Sequence, residues 1–207
     1  MIVKIWKIYL NATKSIYTKE DNKINYLELV TVYILILAVC IFLVYYKNEK
    51  FIEDPKILAM LLSLFSGLMY SVLLKIPDKI TKLETKLPPE NETLDELRNR
   101  EESNILNNRT LNYLKNFSYT LSYSIIVAIL CILFVILSSF FSSLLNFHLS
   151  DVNFCTNNID LLLTLKVGFI ILYRFLFVFF MLQFIYFITK SVVYLTDFTL
   201  YEFNNLK

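Results

Sequence analysis

The run LLLTLKVGFIILYRFLFVFFMLQFIYFI, Leu161 to Ile188, decides what kind of protein this is. About 20 apolar residues cross the roughly 30 Å hydrocarbon core of a bilayer, so this run is long enough to span one. It is crowded with aromatic side chains, yet near its middle stands Arg174, with Lys166 toward one end and Gln183 toward the other. A guanidinium at the bilayer centre costs about 2.5–3.5 kcal/mol on insertion scales. Arg174 lies about 20 Å from either end of the run at 1.5 Å per residue, further than a snorkelling side chain reaches. It must face protein or water. A shifted register, with the span at Phe175–Leu195, would move Arg174 to the interface but would bury Lys190.

Three more apolar runs precede it, Leu29–Tyr46, Ile57–Leu74 and Phe117–Leu145. The 207 residues are 57% hydrophobic and only 18% charged, where a soluble domain carries about 25% charged residues. The charges also cluster, at Met1–Glu28, Lys47–Lys56 and Lys75–Lys115, leaving long neutral runs between. This pattern predicts an all-α polytopic membrane protein of four transmembrane helices in a single membrane domain. The expected layout is an N-terminal interfacial segment over 1–24, spans over 25–46, 57–76, 117–145 and 161–189, a short helical cytoplasmic loop over 77–116, an external loop over 146–160 and a cytoplasmic tail over 190–207.

Local signals refine the layout. Ile2, Trp6, Tyr9 and Leu10 fall on one helical face while Lys4, Lys7 and Lys14 suit headgroups, which predicts a helix lying in the interface. The alternative is a basic tail that only sets topology. Lys4 and Lys7 interrupt the apolar stretch, so it does not read as a cleavable signal peptide. Asp54-Pro55 is a helix start, Asp as cap and Pro at the first helical position. Ser63, Ser66, Gly67 and Ser71 put small residues along one side of the second span, a candidate packing face. Lys75 and Pro77 close that span. Thr93 with Glu96 forms a capping box, and Asn107, Asn108 and Thr110 predict a kink or loop. Ser138, Ser139, Ser142 and Ser143 are expected in the headgroup zone.

Basic residues in short loops mark the cytoplasmic side. With both termini inside, the inner segments hold Lys4, Lys7, Lys14, Lys19 and Lys23, then Lys75, Lys79, Lys82, Lys86, Arg98, Arg100, Arg109 and Lys115, then Lys190 and Lys207. The outer loops hold only Lys47, Lys50 and Lys56. Fifteen against three predicts four spans with both termini cytoplasmic, and a cell inner membrane is the expected location.

The composition also excludes function classes. His148 is the only histidine, and Cys40, Cys131 and Cys155 show no metal-ligand spacing. No nucleophile elbow or phosphate-binding glycine loop occurs. The expectation is a non-enzyme with no cofactor and no metal, and a net charge of +2 implies no direct nucleic-acid partner. The chain has two glycines, Gly67 and Gly168, and its four prolines lie outside the spans. That argues against broken-helix carriers and carbonyl-lined filters.

Gln183 is nine residues beyond Arg174, half a turn out of phase at 3.6 residues per turn. The fourth span is therefore expected to be sandwiched, one face in its own bundle and the other at a subunit contact or pore. This predicts a homo-oligomer in the lipid bilayer. Glu28 is the only acid near a span, so hydroxyls, backbone carbonyls or pore water are the expected partners of Arg174. Arg174, Gln183 and Lys166 are the intramembrane functional candidates. Arg98, Arg100, Glu101 and Arg109 are the candidates for docking a cytoplasmic protein.

In length, span count, cytoplasmic termini and a charged middle loop such as Pro88–Arg109, the chain resembles the small four-span membrane proteins of bacterial anti-phage systems, the Kiwa membrane subunit among them. The resemblance is one of layout and carries over no residue motif. It implies an oligomeric, non-enzymatic membrane sensor or effector that works with a cytoplasmic partner. The other readings are a channel-like or transport component with a helix-lined pore containing Arg174, and a structural or assembly subunit.

Overall fold

The computed structural model describes residues 2–17, 25–46, 54–81, 94–141 and 161–205. They form five helices: α1 (Ile2–Tyr17), α2 (Tyr26–Tyr46), α3 (Pro55–Thr81), α4 (Leu94–Phe140) and α5 (Leu161–Asn205). The last four are each long and apolar enough to cross a membrane, and the described residues contain no strand. The fold is all-α and polytopic, as the four apolar runs require.

Asp54 caps α3 as expected, its Oδ1 accepting the backbone N–H groups of Lys56 at 3.1 Å and Ile57 at 3.3 Å. The helix then runs through Pro77 to Thr81, further than its apolar run. An interior proline costs a helix about 3 kcal/mol through a lost hydrogen bond and a clash with the preceding turn, and burial of Ile76 beside it against α4 and α5 offsets part of that. The loop expected as one alternative at Asn107–Thr110 does not form: α4 is one continuous helix of 47 residues. Tertiary packing overrides weak propensity here, because Thr110, Leu114, Phe117 and Leu121 are buried at successive turns. At 1.5 Å per residue α4 is about 70 Å long, more than twice the hydrocarbon thickness, so much of it projects beyond the bilayer. The capping box at Thr93 and the loop over 146–160 lie outside the described residues.

Helix α4 is the centre of the bundle, with α5, α3 and α1 all packed on it, and α5 carries α2 on its other flank. Most of the buried side chains form one core, from Ile36, Cys40 and Val44 of α2 through Tyr123, Val127 and Cys131 of α4 to Ile170, Phe177 and Phe187 of α5. A second, smaller core of Ile76, Leu114, Phe117, Leu121 and Phe198 sits at one end.

Helix α1 forms as expected and packs on the bundle. Its Ala12, Ile16 and Tyr17 belong to the main core, and the face expected to be uniform divides, Trp6 and Leu10 outward but Tyr9 turned in. Ser15 and Thr120 meet through their hydroxyls at 3.3 Å, and the Tyr194 hydroxyl donates to the Ser15 carbonyl at 2.6 Å. Small and polar residues at Ala12 and Ser15 let α1 approach α4 closely. The start of α2, the end of α3, the middle of α4 and the late turns of α5 thus share one end of the bundle with α1.

Candidate functional site

Several polar groups on the helices are drawn inward, where they cross-link the bundle. Arg174 is completely buried, at 0% exposure, and makes its own interactions within the chain. It belongs to the stripe Val167, Ile170, Arg174, Phe177, Val178 on α5. One residue before it, Tyr173 donates its hydroxyl to the Phe134 carbonyl of α4. The Tyr173 ring also packs on Phe134, centroids 5.3 Å apart.

Gln183 is 4% exposed and accepts the Tyr123 hydroxyl of α4 on its Oε1 at 3.0 Å. Both polar groups of α5 are therefore buried inside one chain, with Gln183 hydrogen-bonded to α4. Within the chain, α5 is packed on by both α4 and α2. An α5 flanked on both sides within its own chain needs no oligomer to bury Arg174.

The ladder continues toward the end that carries α1. Tyr123 packs on Phe187 of α5 at 4.5 Å between centroids and on Tyr9 of α1 at 5.2 Å. The Tyr9 hydroxyl meets that of Tyr33 on α2 at 2.9 Å. At the last rung Lys190 Nζ lies 3.2 Å from Glu28 Oε1, while Asn25 Nδ2 donates to Glu28 Oε2 at 3.2 Å. Glu28 thus pairs with Lys190 and Asn25, joining the start of α2 to α5. Tyr17 and Tyr186 stack beside this pair, centroids 6.4 Å apart, and burial pushes the Tyr17 phenol above its ordinary range.

The remaining candidates divide. Lys166 is exposed near the start of α5. On α4, Arg98, Glu101 and Arg109 fall on one exposed face at 100° per residue, whereas Arg100 lies on the opposite side and is half-buried. Arg98 pairs with Glu102 at 3.6 Å along the helix, both well exposed. Among the described residues, no three His, Cys, Asp or Glu side chains gather as a metal site requires.

The sequence singled out Arg174 and Gln183 but missed Tyr9, Tyr33 and Tyr123. A signal existed: these tyrosines stand inside helices, away from the ends where interfacial aromatic belts are read. The small-residue face expected on α3 points away from the bundle. Ser63, Gly67 and Ser71 are exposed, and the serines at 66 and 71 bond back to the carbonyls of Ser63 and Leu68 in their own helix. Ser138 is buried rather than placed among headgroups, and it donates to the Val135 carbonyl at 2.6 Å.

No family model, no curated protein and no solved structure matches the chain.

Proposed function

We propose that this chain is a non-enzymatic membrane sensor or effector subunit, acting as a homo-oligomer in a bacterial inner membrane with a cytoplasmic protein partner. The observation that carries the reading is the unbroken helix α4. Its first turns present Arg98, Glu101 and Arg109 on one exposed face, and its last turns form the centre of the membrane core. A partner bound to the first part can tilt or rotate the second without an intervening loop. The clustered basic residues assign that projecting end, both termini included, to the cytoplasm. The anti-phage assignment rests on the layout the chain shares with small four-span defence proteins. Complete burial of Arg174 favours an internal anchor over a pore-lining residue.

The test is a plaque assay on cells carrying the chain in its native gene neighbourhood. Protection should be present with the wild type and lost with R98E/R109E, while the variant still inserts in the membrane, since exposed charges contribute little to folding. Equal plaque counts with and without the chain would remove the defence reading. Full protection by R98E/R109E would remove the docking face.

A further inference from the structure

A groove of about 200 Å³ opens at the end of the bundle where α3, α4 and α5 leave the bilayer. Val72 and Ile76 of α3, Leu114 and Phe117 of α4, and Leu195 and Phe198 of α5 form its almost wholly apolar walls. Tyr113 and Tyr194 also line it, and Lys75 and Lys79 stand one turn apart along its α3 side. Lys79 Nζ lies over the Phe198 ring, 5.1 Å from its centroid. Among the described residues neither lysine is in an ion pair. Asp78 and Asp197, the acids adjacent in sequence, do not line the groove.

The depth of the groove follows from the sequence. Lys75 is the first charge after the second apolar run, Lys115 the last before the third, and Lys190 the first after the fourth. Charges at these positions mark the headgroup level on all three helices, and the groove spans that level. Its apolar walls continue the lipid-facing surface, while its two cations stand where phosphates lie. Basic pockets between transmembrane helices at this depth are built to hold anionic headgroups.

We propose that this groove is a binding site for one anionic phospholipid of the adjoining leaflet. Part of an acyl chain lies between Val72, Phe117 and Leu195, and the phosphate is held by Lys75 and Lys79. The inference is independent of the partner-docking reading. It gives the bundle a lipid-dependent contact joining the three helices that project from the membrane.

The test uses the full chain in nanodiscs of phosphatidylcholine and phosphatidylglycerol mixed four to one, with bound lipid counted by native mass spectrometry. The wild type should retain one phosphatidylglycerol in preference to phosphatidylcholine. K75Q/K79Q should lower that preference by about thirtyfold, from roughly fivefold per lysine near an anionic surface. Both lysines are exposed on the helix surface, so the variant is expected to stay folded, with circular dichroism as the check. Leu195→Trp fills the groove with the lysines intact and should reduce retention of both lipids. Equal retention of the two lipids by the wild type overturns the proposal, as does unchanged selectivity in K75Q/K79Q.

Discussion

The most apolar 18-residue stretches of α3 and α5 are almost equally apolar, yet 6% of the first and 33% of the second is buried inside the chain. The difference lies in what interrupts the apolar surface. Helix α5 carries Tyr173, Arg174 and Gln183, and two of these reach α4 with hydrogen bonds. Helix α3 carries serines that bond their own backbone and a glycine that faces open space. Lipid tails are as apolar as leucine, so hydrophobicity does not draw helices together in a bilayer. Polar cross-links and close packing do; α5 has both, whereas α3 packs on α4 with no polar cross-link among the described residues. Helix α3 keeps one narrow contact stripe on α4, including Leu62 and Ile76, and leaves the rest to lipid.

This contrast is most open to attack at Arg174. Arg174→Ala removes a fully buried side chain and strands whatever it holds, which should cost about 3 kcal/mol or more. The expected result is a large fall in the thermal midpoint in detergent. Lys166→Ala on the same helix, exposed, should stay within about 0.5 kcal/mol. Similar midpoints for the two variants would mean that Arg174 does not anchor α5.

A smaller effect is expected at the hydrogen bond between Tyr123 and Gln183. A double-mutant cycle with Tyr123→Phe and Gln183→Leu should return a coupling of about 0.6–1.7 kcal/mol, the span found for interhelical hydrogen bonds in membranes. Additive effects would assign the α4–α5 association to packing alone.

The smallest change belongs to α3. A Cβ at Gly67 meets no atom within 4 Å, so Gly67→Ala should leave the chain's midpoint unchanged or raise it, by up to about 1 kcal/mol from helix propensity. A clear loss of stability would show that another surface, most simply a second copy, closes on this face.

Much of the fold is legible in the sequence. The run ending at Tyr46 and the Asp54-Pro55 start agree with α2 and α3 to within a residue or two, because span length and cap chemistry are local properties. The continuity of α4 is not legible there. Asn107, Asn108 and Thr110 disfavour helix locally, and only the neighbours that cover Thr110 and Leu114 reverse that preference. Nor is the docking of α1, since Ala12 and Ser15 carry no hydropathy signal and matter only as room for α4. At the candidate site, the sequence requires that Arg174 be sheltered from lipid. It does not say by what, and the fold buries Arg174 completely within the chain.

The sequence by itself determined the number of spans and gathered the basic residues at the ends of particular helices. Both follow from the cost of charge in hydrocarbon, which each segment meets alone. Only the tertiary structure decided that α4 is central, that α3 is peripheral, and that the partner of Gln183 is Tyr123. Those outcomes depend on which faces meet, and in a solvent as apolar as the helices themselves hydropathy does not distinguish one face from another.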